Sequence, residues 1–218
     1  PRLHREGGLS VGPWPIERIA EWDARQPWIV GANYLPRTAV NWTELWQAES
    51  FDLATIEQEL DWAQAIGLNA IRTNLQYLVW RHDASGLRAR IDRFLGAASR
   101  RGLRTMLCLF DDCAFSGREP YLGAQDEPIP GVHNRGAAAS PGREVVRDRS
   151  RWPDLERYTR DVVSHFRDDA RVLAWDLYNE PCNEAVFTRR VEPDPRGPLA
   201  GIRWPGVVPA GVTSEQFF

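Results

Sequence analysis

An amide and a carboxylate stand side by side at Asn179-Glu180, after the apolar run 172–177 and before Pro181. The run predicts a parallel β-strand that is buried on both faces, and proline cannot continue its hydrogen-bonded ladder. The strand therefore carries both polar side chains to its carboxyl end, where parallel α/β proteins place their reactive groups. Glu180 is the first candidate for acid–base chemistry. A strand followed by an ordinary polar turn is the alternative.

Polar residues also end or interrupt the other predicted strands. Asn33 and Tyr34 end the first strand, and Asp111 directly follows the third. Arg72 lies inside the second strand, where a buried guanidinium needs a carboxylate partner. Because the carboxyl ends of parallel strands meet at one edge of a sheet, these side chains are predicted to share a face with Glu180.

Alternating strands and helices are predicted to position these groups. In the first long helix, apolar residues recur at helical spacing as far as Ile66, with Asp52 as the expected N-cap and Gly67 past the end. The order β-α-β-α-β-α-β predicts an α/β fold with a parallel sheet and right-handed crossovers. The predicted strands cover residues 27–34, 69–75, 103–110, 171–181 and a weaker 198–204, and the helices cover 52–66, 87–100 and 153–166.

The remaining segments carry little periodicity. Residues 1–27 are predicted to form an irregular leader with at most a helical turn around 16–22, and residues 205–218 a tail. The connection 111–152 is rich in proline and glycine and is predicted to lack regular structure. A connection of this length usually has a function or is disordered, and this one would lie on the face of the reactive groups.

The segment Trp175-Asp176-Leu177-Tyr178-Asn179-Glu180-Pro181 resembles the Asn-Glu-Pro signature of clan A glycoside hydrolases, which are (β/α)8 retaining β-glycosidases. Arg72, the segment Phe110-Asp111-Asp112-Cys113 and the segment Pro130-Gly131-Val132-His133-Asn134 are similar to a cellulase-like, 1,4-β-xylanase branch of that clan. The resemblance covers about residues 28–204, which would form a partial catalytic barrel. It implies a TIM-barrel fold of which only the N-terminal four to five βα units are present.

The resemblance also implies residue roles. Glu180 would be the acid/base, Asn179 would bind the sugar 2-hydroxyl, and Arg72 would keep the nucleophile carboxylate ionised. An acid in this role must hold its proton near neutral pH. The clan's nucleophile is a glutamate at the end of the seventh strand, and none of Glu184, Glu192 and Glu215 fits that place. The chain is therefore expected to be truncated and inactive alone.

Other residues are candidates for contacts with a sugar. The aromatic rings could stack on sugar rings or simply pack in loops, and the polar groups could bind substrate or fix a loop. These candidates are Asn33, Tyr34, Trp80, Asp111, Asp112, His133 and Trp175, with Trp42 and Trp46 as further aromatic residues.

Composition excludes several classes of partner. The net charge of −3 gives no excess of positive charge that would attract nucleic acid or an anionic membrane surface. No apolar stretch is long enough to span a bilayer. All 27 basic residues are arginine, so a Schiff-base or phosphate-loop lysine is excluded. No dinucleotide or phosphate-loop motif is present, and no cofactor or metal is expected. Cys113 and Cys182 follow adjacent elements and could pair, although free thiols are the default.

The sequence leaves three interpretations of function open. The first is a cofactor-independent hydrolase of β-linked oligo- or polysaccharide, whose activity would favour a secreted or periplasmic location. The second is a carbohydrate-binding half-barrel without catalysis, and the third is a metal-dependent α/β hydrolase that uses Asp111, Asp112 and His133. In each case an open sheet edge needs cover, either from a missing C-terminal half-barrel or from self-association.

Overall fold

The computed structural model describes residues 13–131 and 134–181, in which four strands form one parallel sheet in the order β1-β2-β3-β4. Each strand adds to the same side of its predecessor, as in an arc of a (β/α)8 barrel; a doubly wound sheet would reverse the order. The predicted α/β fold is confirmed. The strands are β1 (Gly31–Asn33), β2 (Ala70–Asn74), β3 (Arg104–Asp111) and β4 (Val172–Asn179).

Seven α-helices accompany the strands within these residues. They are α1 (Ile16–Ala24), α2 (Trp42–Trp46), α3 (Leu53–Ala65), α4 (Tyr77–His82), α5 (Ala84–Ser99), α6 (Arg143–Arg147) and α7 (Trp152–Phe166). Asp52 caps α3 as predicted, because its carboxylate accepts from the backbone N–H of Thr55. The helix predicted from residue 87 begins three residues earlier, because Asp83 caps it by accepting from Gly86.

The core lies between the helices and one face of the sheet. Ile56 and Leu60 of α3 and Phe94 of α5 are fully buried, and the Phe94 ring contacts the rings of Tyr34 and Trp46. Ile66 was expected on this apolar face, and that prediction is wrong: α3 ends at Ala65, and Ile66 is 77% exposed.

The two outer strands of the described sheet are not buried as the sequence predicts. All three residues of β1 are exposed, Trp28 of the predicted first strand is 88% exposed, and Leu177 of β4 is 59% exposed. The central strands β2 and β3 are mostly buried. A strand is covered at both edges only when it has a neighbour on each side, and within residues 13–131 and 134–181 β1 and β4 have one neighbour each.

The long connection after β3 is held firmly by side chains. The Asn41 amide donates to Gln125 and to the carbonyl of Gly136, and Gln47 exchanges two hydrogen bonds with the backbone of Gly123. Its last part contains α6 and a short 3₁₀ turn, so the prediction that it lacks regular structure is wrong there.

Of the predictions for the two ends of the chain, only the one for residues 16–22 falls within the described residues. Residues 16–24 form a nine-residue helix, longer than the single turn expected in the leader. The predicted fifth strand and the tail lie outside the described residues. No helix in the described part of the chain has the length and apolarity needed to cross a bilayer.

Candidate active site

A cleft opens at the carboxyl ends of the four strands. Each strand contributes polar side chains to its lining: Asn33 from β1, Arg72 and Asn74 from β2, Asp111 from β3, and Asn179 with the following Glu180 from β4. The loop after β1 adds Tyr34 and Trp42, and the connection after β3 adds Cys113 and Asn134. The structure thus brings together side chains that are up to 147 residues apart in sequence, from Asn33 to Glu180.

Arg72 joins three strands across the open face of the sheet. Its guanidinium donates to Asp176 Oδ2 at 2.6 and 3.0 Å, to Asn179 Oδ1 at 2.8 Å and to Asn33 Oδ1 at 3.0 Å. Burial opposes the charge of Arg72, but the hydrogen bond to Asp176 raises its pKa above the ordinary value. The sequence predicts a carboxylate partner for Arg72, and the structure identifies it as Asp176. The sequence could have identified Asp176 as this partner, because it is the one charged residue within the apolar run of β4.

The Asn179 amide is held from both sides. Its Oδ1 accepts from Arg72, and its Nδ2 donates to Asp111 Oδ1 at 2.9 Å and contacts Cys113 Sγ at 3.4 Å. A cation next to the oxygen and a carboxylate next to the nitrogen leave only one favourable orientation of the amide. Arg72 uses one of the two lone pairs of Oδ1, so the other can accept from a ligand hydroxyl.

Asp111 lies at the centre of the site and is 2% exposed. Its Oδ1 accepts from Asn179 Nδ2 and from the backbone N–H of Cys113, both at 2.9 Å. Its Oδ2 accepts from Trp42 Nε1 and Asn74 Nδ2, both at 3.0 Å. Four donors occupy the roughly four lone-pair sites of a carboxylate. Asp111 therefore orients its neighbours and the start of the following loop, which matches the loop-fixing alternative and not the substrate contact.

Glu180 has an unusual backbone conformation and a defined side-chain contact. Its φ of 49° lies in the left-handed region, which residues with a Cβ rarely adopt. Its Oε2 is 3.2 Å from Cys113 Sγ, with the thiol as donor. Burial, followed by the negative charge of Asp111 and the hydrogen bond to Glu180, raises the pKa of the Cys113 thiol well above its usual range. Cys113 therefore stays protonated and can donate.

Two aromatic residues line the cleft in different ways. The Trp42 ring is half-buried, and its indole N–H is fixed by Asp111. Tyr34 is 9% exposed and its hydroxyl donates to Glu59 of α3 at 2.8 Å, so the hydroxyl is already used within the protein. Burial and the Glu59 carboxylate raise the pKa of Tyr34 above its ordinary value. Trp42 is thus the aromatic side chain better placed for a ligand.

Several predicted contacts lie away from this cleft. Trp80 packs against Tyr77 and Tyr158 and donates to Asp161 of α7, so it belongs to the helix layer. Trp175 lines a separate cavity with Trp14 and Trp22, near the amino ends of β3 and β4. For these two tryptophans the structure corrects the sequence prediction, because α4 and the middle of β4 do not reach the cleft.

Two further candidates serve as structural residues. Trp46 is fully buried and donates to the carbonyl of Asn74 at 2.7 Å. Asp112 is 2% exposed, and its Oδ1 lies 3.6 Å from Arg143 Nε of α6. Its backbone N–H donates to the carbonyl of Asn179 at 3.1 Å. The geometry of Asp112 matches the loop-fixing alternative.

Some candidates cannot be placed. His133, Cys182, Glu184, Glu192 and Glu215 lie outside the described residues. Cys113 carries a thiol and is not part of a disulfide, as the default predicts. Within residues 13–131 and 134–181, no group of three or more His, Cys, Asp and Glu side chains is arranged to hold a metal ion.

Comparisons with known proteins give matches among solved structures. No family model matches the chain, and no curated protein matches it. Among solved structures, an exo-β-1,4-mannosidase from Opitutaceae bacterium strain TAV5 is similar, with 22% identity, a TM-score of 0.49, and coverage of 70% of this chain and 24% of that chain. A GH5_18 protein from Streptomyces cattleya, crystallised with GlcNAc, has 17% identity, a TM-score of 0.44, and coverage of 76% and 37%. The chain thus spans well under half the length of these two proteins.

Proposed function

We propose that this protein is an O-glycosyl hydrolase of β-linked oligo- or polysaccharides, with Glu180 as its acid/base. The observation that carries the proposal is the pair Asn179-Glu180 at the carboxyl end of β4, in a cleft that also contains Arg72 and Trp42. Retaining hydrolysis requires a carboxyl group that protonates the departing oxygen and later removes a proton from water. Glu180 supplies that group.

The neighbouring residues have matching tasks in this proposal. The remaining lone pair of Asn179 Oδ1 accepts from a sugar hydroxyl next to the scissile bond, a contact that strengthens in the oxocarbenium-like transition state. Arg72 keeps the amide in this orientation. The Trp42 ring offers an apolar face for a sugar ring, and Asp111 prevents it from turning.

The reaction also needs a second carboxylate, about 5–5.5 Å from the first, as nucleophile. Among the described residues that line the cleft, Asp111 and Glu180 carry the carboxylates, and the lone pairs of Asp111 are occupied by four donors. We therefore assign the acid/base to Glu180 and assign no nucleophile.

The lack of an assigned nucleophile among the described cleft residues favours carbohydrate binding without catalysis as a second candidate function. The occupied lone pairs of Asp111 also weigh against the metal-dependent alternative, because a metal ligand needs a lone pair that no other group uses. The two carbohydrate interpretations differ in one property. A catalytic site binds a mimic of the transition state more tightly than it binds the neutral sugar, whereas a purely binding site has no reason to do so.

The test is calorimetric binding of isofagomine, a cationic mimic of the oxocarbenium-like transition state, compared with cellobiose, mannobiose and xylobiose. We expect isofagomine to bind at least about ten-fold more tightly than the best disaccharide. Glu180→Gln should weaken isofagomine at least about ten-fold, since a charge-assisted contact is lost. Glu156→Gln, at an exposed position on α7, is the matched control.

Three results would decide between the candidates. Equal affinity for isofagomine and a disaccharide would favour the binding interpretation, and binding of neither would contradict both. Hydrolysis of an aryl β-glycoside by the chain, abolished by Glu180→Ala, would support the hydrolase and overturn the expected inactivity.

A further inference from the structure

Residues 111–113, which are the last residue of β3 and the two residues after it, contact the Asn179-Glu180 pair at several points. The Asn179 carbonyl accepts from the backbone N–H of Asp112 at 3.1 Å, and the Asn179 side chain donates to Asp111 at 2.9 Å. Cys113 Sγ lies 3.4 Å from Asn179 Nδ2 and 3.2 Å from Glu180 Oε2. Each of residues 111–113 thus contacts the pair, and the Cys113 side chain lies next to the Glu180 carboxylate.

We propose that Cys113 is a positioning residue: its thiol donates to Glu180 Oε2 and fixes the orientation of that carboxylate toward the cleft. This inference rests on the proposed function, because it gives the acid/base its geometry. Glu180 needs such a support, because its left-handed backbone is disfavoured for a residue with a Cβ and its side chain has several rotatable bonds.

A thiol suits this role better than a stronger partner would. An arginine at the same place would hold Glu180 as an anion and oppose its work as an acid. A neutral, weak donor orients the carboxylate without placing a positive charge beside it. Burial raises the pKa of the Cys113 thiol, so the thiol keeps the proton that it donates. The Asn179 contact at the same sulfur links the orientations of both cleft residues.

The test compares Cys113→Ala, which removes the donor, with Cys113→Ser, which restores one in a side chain of similar size. The first readout is nuclear magnetic resonance of the Asn179 side-chain amide and the Glu180 backbone amide, which needs no ligand. Cys113→Ala should shift both signals, and Cys113→Ser should return them toward their positions in the unmodified chain. The second readout is isofagomine affinity, which should fall about five-fold in Cys113→Ala and stay within about two-fold in Cys113→Ser.

The outcomes separate this inference from the proposed function. If Glu180→Gln abolishes isofagomine binding while Cys113→Ala leaves both the binding and the two amide signals unchanged, the positioning role is refuted and the function stands. If Glu180→Gln has no effect on binding, the function fails, and the amide signals still decide whether the thiol orients Glu180. Equal thermal stability of the two Cys113 variants shows that the signals report orientation and not unfolding.

Discussion

Asp111 and Asn179 are partners in the register of β3 and β4, and the Asn179 amide donates to the Asp111 carboxylate at 2.9 Å. The other oxygen of the same carboxylate holds the indole of Trp42. The buried Asp111 side chain therefore positions both the Trp42 indole and the Asn179 amide on the adjacent strand. A substitution of Asp111 should displace both side chains.

Asp111→Asn should destabilise the protein by about 2–4 kcal/mol, because the amide nitrogen faces donors where an oxygen accepted from them. Urea unfolding followed by circular dichroism measures the change. Asp126→Asn is the control: its ion pair with Arg118 is exposed on both sides and should be worth less than about 1 kcal/mol. Similar losses of unfolding free energy in the two variants would contradict the inference that the four hydrogen bonds to Asp111 stabilise the site.

Asp176→Ala should lower the free energy of unfolding by about 1–3 kcal/mol, because the half-buried Arg72 guanidinium loses two hydrogen bonds. The matched control is Asp168→Ala, whose exposed pair with Arg167 should contribute less than about 0.5 kcal/mol. The Asn179 side-chain amide signal should also move in Asp176→Ala, since Arg72 holds Oδ1. An unchanged amide signal would mean that Arg72 keeps its position without Asp176.

Leu60→Ala and Ile66→Ala test where the apolar face of α3 ends. Leu60 is fully buried, so its truncation should cost about 2–5 kcal/mol through lost burial and a cavity. Ile66 is largely exposed, so its truncation should change stability by less than about 0.5 kcal/mol. Thermal or urea unfolding of the two variants checks the difference, and a large loss in Ile66→Ala would restore the sequence prediction.

Two carboxyl groups, Glu119 and Asp169, should contribute to the free energy of unfolding with opposite pH dependence. Burial raises the pKa of Glu119 above its ordinary value of 4.5, so the folded state binds the proton more tightly and this group's contribution falls as pH rises from 4.5 upward. A hydrogen bond from Arg171 lowers the pKa of Asp169, so its contribution is present above pH 3.8 and is lost as pH falls below it.

Urea midpoints measured from pH 3 to pH 8 give the test. Relative to the unmodified chain, Glu119→Gln should gain stability as pH rises above 4.5. Asp169→Asn should lose stability as pH rises toward 3.8, and the difference should then stay constant at higher pH. Curves that differ from the unmodified chain by a constant at every pH would show that neither carboxyl group has its pKa shifted in the expected direction.

Gly142→Ala should be more damaging than Gly123→Ala. Both glycines have positive φ, +111° and +92°, so each substitution costs about 1–2 kcal/mol in backbone strain. At Gly142 an added Cβ would also clash with the Glu119 carboxylate and lie 2.9 Å from Pro120 Cδ, whereas Gly123 has open space. We expect an additional loss of about 1–3 kcal/mol at Gly142, measured by urea unfolding. Equal losses would mean that the loop moves aside at little cost.

Much of the helix and strand pattern could be predicted from local signals. Helical spacing located α3, α5 and α7, and the side chain of Asp52 identified the start of α3, because caps and periodicity act over a few residues. The start of α5 was missed because Ala84, Ser85 and Gly86 carry no apolar signal, and the Asp83 cap went unrecognised.

The sequence by itself determined the order of elements and the polar ends of the strands, since a strand must place whatever follows its apolar run at its carboxyl end. Tertiary structure alone decided which polar groups pair. Asp111 meets Asn179, 68 residues away, because the two are register partners on adjacent parallel strands. Arg72 meets Asp176, 104 residues away, because its long side chain crosses β3 from β2 to β4. It also decided that Trp42, not Trp80, enters the cleft, and that β1 is exposed while β4 is only partly buried. Burial depends on neighbouring elements that no local pattern encodes.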